Sequence, residues 1–261
     1  MSLDGLDHRG EFTPMPGAAP LHRQVLTQAR MEARLMLRNG EQLLLAVVIP
    51  VIVLIGGVTG SEHLGLELDH DPIDVFTPGV LALAIMSTAF TSLAIATGFE
   101  RRYGVIKRLG ASPLPRSGLL MGKVGALLLV ELLQVVVISA VAFALGWDPT
   151  PDVVGFLLAL VAGTAAFASL GLFLSGVLRA EATLAAANLA YLLLLAGGAV
   201  VLPISAYGAF GDVVRWLPSG ALGSAMRAAL IDGATSWRDL GVLVLWAAIG
   251  TTLTARTFKW E

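Results

Sequence analysis

The sequence predicts an all-α integral membrane protein with six membrane-spanning helices. Apolar residues make up 56% of the 261 residues, charged residues only 14%, and the mean hydropathy is +0.80. A typical soluble domain has about 25% charged residues, so this composition favours a membrane protein. The apolar residues are also grouped into segments close to the roughly 20 residues that a helix needs to cross the hydrocarbon core. The predicted spans lie at about 43–59, 76–99, 119–145, 153–177, 183–202 and 239–255.

The positive charges predict the orientation of the spans, because loops rich in Lys and Arg stay in the cytoplasm. If both chain ends are inside, fourteen of the seventeen Lys and Arg residues lie on the cytoplasmic side. The other three lie in the last outer loop, whereas the loop after the first span contains only acidic charges. We therefore predict an N-in, C-in topology.

The segment before the first span is predicted to be an amphipathic helix at the cytoplasmic membrane surface. Residues 1–20 are polar and rich in Asp, Gly and Pro, which is typical of a disordered tail. In the helix 21–42, Arg30, Arg34 and Arg38 lie on one face and an apolar stripe lies on another. The stripe consists of Val25, Leu26, Ala29, Ala33, Met36 and Leu37. Such a helix either rests on anionic lipid or has a specific docking role, and the sequence leaves both open.

The last outer loop, 203–237, is predicted to contain two short helices that dip into the outer membrane interface. It mixes apolar residues such as Trp216 with Arg227, and Pro218 interrupts it. An amphipathic segment of this length fits a re-entrant structure better than an open loop.

The residues that enzymes need are scarce in the spans. The chain has no Cys, and all four His residues lie outside the predicted spans, so we expect no catalytic site and no metal site. The stretch GLLMGKV at 118–124 has one residue too few between its glycines for a phosphate-binding loop, and Val follows its Lys. We therefore expect no ATP site in this chain. With a net charge of -2, we also expect no nucleic-acid partner.

Three polar residues within the spans are candidates for a substrate path. The first two are Glu131, the one carboxylate deep in a predicted span, and Gln134, which lies one turn further. Lys123 lies two turns earlier on the same face, near the cytoplasmic surface. A charge at the bilayer centre costs roughly 2.5–3.5 kcal/mol on insertion scales, so such groups face the protein interior or water. They either form a polar patch on the path or join helices by hydrogen bonds. Asn188 in the fifth span is the third candidate, and its amide also suits helix packing.

The loop ERRYGVIKRLGASPLPRSGLLMGK, residues 100–123, contains six of the seventeen Lys and Arg residues. Val105, Ile106 and Leu109 form an apolar stripe on a short predicted helix, and the two prolines that follow must stop it. The basic residues alone would be enough to set the orientation of the neighbouring spans. The amphipathic turn and its proline stop therefore indicate a further role.

The order of residues in this loop resembles the cytoplasmic loop of type-2 ABC transporter permeases, which include the antibiotic-resistance exporters of the daunorubicin type. The resemblance covers almost the whole chain, with 43–255 as the six-helix transmembrane domain and 256–261 as a cytoplasmic tail. It implies that the loop is a coupling helix that docks on a separate ATPase subunit, with the helix 21–42 beside it. The residues implied to couple are Glu100, Arg101, Arg102, Gly104, Lys107, Arg108, Leu109, Ser112 and Pro113.

The resemblance also implies the assembly. Two ATPase subunits would bind ATP and Mg, and a second permease chain, identical or a sibling, would complete a substrate path between the two copies. The expected function is export of an amphipathic compound, such as an antibiotic, or of a lipid across a bacterial cytoplasmic membrane, in contact with its lipids. Two alternatives are an ion-coupled secondary transporter that uses Glu131 and a polytopic membrane enzyme.

Overall fold

The computed structural model describes residues 19–38, 40–61, 70–109 and 115–257, without the side chains of 41–45 and 116. All the regular elements within these ranges are helical. The α-helices are α1 Leu21–Arg38, α2 Gly40–Ser61, α3 Pro72–Met86, α4 Leu93–Arg102, α5 Val105–Leu109, α6 Arg116–Ala144, α7 Val153–Val177, α8 Ala180–Gly197, α9 Gly211–Val214, α10 Pro218–Leu230 and α11 Trp237–Thr257. A π-helical segment, Ser87–Ser92, joins α3 to α4, and a 3-10 segment, Ile204–Phe210, precedes α9.

Five helices of the described chain are long and apolar enough to cross a membrane, which confirms an all-α, multi-pass membrane protein. They are Pro72–Arg102, Ser117–Ala144, Val153–Val177, Ala180–Gly197 and Trp237–Thr257. The first predicted span, 43–59, falls on α2, whose apolar stretch Ala46–Ser61 is shorter. Six spans and the N-in, C-in topology therefore stay predictions. The predicted tail 1–20 lies outside the described residues except for 19 and 20, and the predicted tail 256–261 does so from 258 onwards.

The continuous helix formed by α3, the π-helical segment and α4 lies at the centre of the bundle. It contacts α2, α6, α7, α8 and α10, and Leu83, Ile85 and Met86 are almost completely buried. The π-helical segment packs closely on α7, since a Cβ on Gly171 would lie 2.8 Å from the carbonyl oxygen of Phe90. Glycine is therefore required at this crossing, where two helix backbones approach each other.

The fifth span ends earlier than predicted. Helix α8 ends at Gly197, five residues before the predicted end at 202, and Ala199 has a positive φ of 50°. The carbonyl oxygens that would continue the helix accept hydrogen bonds from Arg227 in α10 instead. Its Nη2 lies 3.1 Å from Ala199 O, and its Nη1 lies 3.3 Å from both Val200 O and Val201 O. A buried arginine thus supplies the hydrogen-bond donors for the backbone carbonyl groups that follow α8.

Helix α10 is more deeply buried than the prediction of an interfacial segment implies. It packs on α3, α7 and α11, and Ser219, Leu222 and Met226 have no exposed surface. Pro218 occupies its first turn, where a missing amide hydrogen costs nothing. The chain between 203 and 237 therefore adds a helix to the core of the bundle, after the 3-10 segment and the short α9.

The N-terminal end of α7 is fixed by a side-chain cap. Asp152 Oδ1 accepts a hydrogen bond from the Val154 amide at 3.1 Å, and Asp152 Oδ2 accepts one from the Thr235 hydroxyl. The hydrogen bond from Thr235 is the main reason why the pKa of Asp152 lies below its ordinary value, and the amides of Gly155 and Val154 add to it. Asp152 thereby ties α7 to the turn that precedes α11.

Candidate functional site

The predicted coupling region begins in the last turn of α4. Glu100, Arg101 and Arg102 belong to α4, which continues three residues beyond the predicted end of the second span at 99. Gly104 then adopts a φ of +68°, a left-handed conformation that favours glycine, and α5 begins at Val105. The predicted coupling region is therefore a bent pair of helices. Ser112 and Pro113 lie outside the described residues.

Glu100 takes part in an ionic cluster that joins three helices, and we call this cluster the α1–α4–α6 junction. Lys123 Nζ of α6 lies 2.7 Å from Glu100 Oε1 and 3.1 Å from Glu32 Oε1 of α1. Gln28 Nε2 also donates to Glu32 Oε1 at 2.9 Å. The Lys123 side chain is 9% exposed, the Glu32 side chain 13% and the Glu100 side chain 23%. Such a buried pair is sensitive to loss of one partner, because the other charge would remain unpaired.

The α1–α4–α6 junction rests on close packing of α1 against α6. The α1 residues that face α6 are Gln28, Ala29 and Ala33, which are buried, whereas Leu26 and Leu37 of the predicted apolar stripe are exposed. Glycines of α6 lie against this face, since a Cβ on Gly122 would lie 2.6 Å from Gln28 Cγ. Residues 21–38 of the predicted helix 21–42 form α1, and small residues determine how it packs.

Arg101 and Arg102 attach the other side of α4 to the connection between α7 and α8. Arg101 Nη1 donates to Ser175 O and to Leu178 O, the latter at 3.4 Å, at the end of α7 where backbone carbonyls lack helical partners. Arg102 forms an ion pair with Glu181 at the start of α8, and both side chains are largely exposed. Arg101 therefore has a structural role, whereas the exposed Arg102 pair adds little stability.

Helix α5 presents the remaining basic residues. Ile106 is 6% exposed, whereas Lys107 and Arg108 are exposed. Val105 of the predicted apolar stripe is 36% exposed, and Leu109 is half-buried. The predicted coupling residues thus divide into two groups. Arg101 and Arg102 bind elsewhere in the same chain, and Lys107 and Arg108 face outwards.

Glu131 and Gln134 lie inside the bundle, completely buried, and each contacts other helices. Glu131 Oε2 lies 2.5 Å from Thr164 Oγ1 of α7, and the same hydroxyl lies 2.8 Å from Leu160 O. The Thr164 hydroxyl thus donates to the Glu131 carboxyl group and holds it against α7. Gln134 Oε1 accepts from Thr88 at 3.1 Å, and its amide donates to Ala46 O of α2 at 2.9 Å.

The predicted polar patch on one face of α6 therefore does not form. Lys123 binds carboxylates of α1 and α4, whereas Glu131 contacts α7. Asn188 lies apart from both, on an exposed face of α8. Glu32, Thr164 and Thr88 are the partners that the sequence did not reveal. A single carboxylate on an amphipathic helix and hydroxyl groups in spans are common, so neither carries a specific signal.

The described residues contain no group of three or more His, Asp or Glu side chains that could hold a metal ion. A comparison with curated proteins gives no match. A comparison with protein-family models matches residues 65–256 to the ABC-2 family transporter proteins. The match includes the five helices that are long enough to span a membrane, together with α5 and α10. Members of this family are membrane components of ABC exporters, which implies pairing with an ABC ATPase. The chain belongs to the ABC-2 transporter family.

Proposed function

We propose that this chain is the permease subunit of an ATP-driven exporter that moves an amphipathic compound or a lipid out across a bacterial cytoplasmic membrane. In this proposal α2 also crosses the membrane, as the first of six spans along the chain, and both chain ends are cytoplasmic. Two ATPase subunits bind ATP and Mg, and two permease chains, identical or siblings, form the path. Family membership supports the permease role and does not favour an ion-coupled transporter that uses Glu131.

The observation that carries the proposal is the combination of exposed charges on α5 with its connection to the centre of the bundle. Lys107 and Arg108 offer positive charge to an acidic surface on a partner. Only Tyr103 and Gly104 separate α5 from α4, which continues through the π-helical segment into α3. A force applied at α5 therefore reaches directly the most buried of the five long apolar helices in the described part of the chain.

We locate the proposed substrate path from the polar side chains of the spans that are exposed. Glu131 and Gln134 are buried and already hydrogen-bonded within the chain, so we infer that they join helices. Asn188 stands on α8 among exposed apolar residues such as Leu189 and Leu192. In the proposed assembly this face of α8 lines the path between the two copies, because an apolar surface with one amide suits an amphipathic substrate.

Charge reversal on α5 tests the coupling role. The intact chain, affinity-purified from its own membranes, is expected to bring an ATP-hydrolysing subunit with it. The double variant Lys107→Glu/Arg108→Glu should lose at least about tenfold of that co-purified ATPase activity, because like charges across an interface cost several kcal/mol. Its thermal unfolding should stay within about 2 °C of the wild type, since both side chains are exposed.

A matched control is Arg238→Glu, which reverses an exposed charge at the opposite end of the bundle. This variant should retain the ATPase. Arg101→Glu does not serve as a test, because Arg101 holds the end of α7 and its reversal would destabilise the fold. Transport by the purified chain in vesicles that contain no ATPase would contradict the proposal.

A further inference from the structure

A groove of about 570 Å³ lies between α6, α7 and α11, and neither the ionic residues of the α1–α4–α6 junction nor Glu131 and Gln134 line it. Residues of all three helices line it, among them Leu120, Val124, Leu128, Ala165, Leu172 and Ala255. Ala165 and Met121 of its lining are exposed, so the groove opens on the outer surface of the bundle. In a membrane protein such an opening faces the lipid.

The walls of the groove present carbon atoms, although hydroxyl residues contribute to them. Thr254 Oγ1 donates to Ser169 O at 3.0 Å, and Ser169 Oγ donates to Ala166 O at 2.8 Å. Two of the three hydroxyl residues in the lining, Ser169 and Thr254, therefore use their hydroxyl hydrogens on the backbone. Small residues, Gly125 and Ala168 among them, and leucines line the groove together. A flexible hydrocarbon chain matches this shape and chemistry.

The groove lies at the end of the bundle that contains α1 and α5. Its α6 residues, 120–128, belong to the first half of that helix, and its α11 residues, 251–255, belong to the last two turns. With the topology proposed above, this is the cytoplasmic end. Any lipid in the groove would therefore come from the cytoplasmic leaflet, with its headgroup beyond the end of α11.

Two exposed arginines follow, in sequence, residues at this end of the groove. Arg256 directly follows the lining residue Ala255. Arg30 directly follows Ala29, whose Cβ would lie 3.3 Å from a Cβ on the lining residue Gly125. Lys and Arg near the membrane surface each attract anionic headgroups by about 1 kcal/mol, which is about a fivefold preference. The charge of the rim therefore complements a phosphate headgroup.

We propose that this groove is a binding site for one anionic phospholipid of the cytoplasmic leaflet, with an acyl chain between α6, α7 and α11 and the phosphate at Arg256 and Arg30. The lipid is a resident ligand and not the exported cargo. A second copy of the chain is a poorer occupant. A two-fold interface centred on the groove would bring two copies of the same positively charged rim close together.

The site is tested by native mass spectrometry of the full chain with added phosphatidylglycerol or phosphatidylcholine. We expect one retained phosphatidylglycerol per chain and at least tenfold weaker retention of phosphatidylcholine. Ala165→Phe fills the groove from its open side and should abolish the retained lipid. The matched control, Ala140→Phe, places the same ring at an exposed position of α6 outside the groove and should leave it unchanged.

The headgroup is tested by Arg30→Gln/Arg256→Gln, which should lower phosphatidylglycerol retention by about 25-fold and bring it near that of phosphatidylcholine. Thermal unfolding of each variant verifies that it is folded. Equal retention of the two lipids by the wild type would overturn the proposal. So would an Ala165→Phe variant that separates a dimer into monomers while it keeps the lipid, because the groove would then hold a second copy. None of these outcomes depends on transport or on an ATPase.

Discussion

Replacement of Lys123 by Met should destabilise the chain by about 3 kcal/mol. The substitution keeps a similar volume but removes the cation between Glu32 and Glu100, which lie 3.1 and 2.7 Å from its Nζ. Breaking a buried ion pair costs about 3–5 kcal/mol, since the remaining charge stays desolvated. We take the lower end because the Glu100 side chain keeps 23% of its exposure and water can reach it.

The assay is thermal unfolding of the purified chain in detergent. For a chain of this size about 3 kcal/mol corresponds to a decrease in Tm of about 6–12 °C. The triple variant Glu32→Gln/Lys123→Met/Glu100→Gln removes all three charges and should recover most of the loss, because no unpaired charge remains. A decrease of less than about 2 °C for Lys123→Met, or a triple variant no more stable than the single one, would refute this reasoning.

Three further predictions concern contacts between helices. Arg227→Gln should lower stability by about 3 kcal/mol, since the carbonyl oxygens beyond α8 lose a charged donor, and loss of protease resistance after Gly197 would report it. Gly171→Val should cost about 1–3 kcal/mol in a Tm measurement, because its Cβ would press on the π-helical segment, whereas Gly241→Ala, with no atom within 4 Å, should be neutral or stabilising. Thr235→Val should raise the pKa of Asp152 and lower the Tm at neutral pH. A carboxyl group with a lowered pKa in the folded state contributes stability above its unfolded pKa of about 3.9 and loses it as the pH falls further, so the Tm difference between Thr235→Val and the wild type should vanish in acid.

Hydropathy was sufficient to locate five of the six predicted spans but not their ends. The spans at 119–145 and 153–177 match α6 and α7 within a few residues, because hydropathy reports directly on the cost of placing a segment in lipid. The end of α8 depends instead on Arg227, about thirty residues further along the chain. A hydropathy window contains no information about such a contact.

The candidate site was predicted as a segment, but the partners of its residues were not. The loop from Glu100 onwards showed the basic cluster and the short amphipathic helix, since both are local properties. That Lys123 binds Glu32, 91 residues earlier, depends on how α1 packs against α6. Small residues make this packing possible, and Gly and Ala are too frequent in the spans to single out one contact.

The contacts of α4 predict which parts of the assembly move. Glu100 ties α4 to α1 and α6, and Arg101 ties it to the end of α7, so we expect these helix ends to move as one body when a partner pulls on α5. Since the chain has no native Cys, spin labels can be placed at the exposed positions Leu35 in α1 and Arg179 before α8. Their distance within one chain should change by less than about 2 Å when the partner ATPase binds ATP. In a pair of identical copies, labels at Leu192 of α8 should change their distance by more than that. A large change in the distance between the labels at Leu35 and Arg179 would show instead that the chain deforms internally. The α1–α4–α6 junction would then act as a hinge and would not hold the three helices rigidly together.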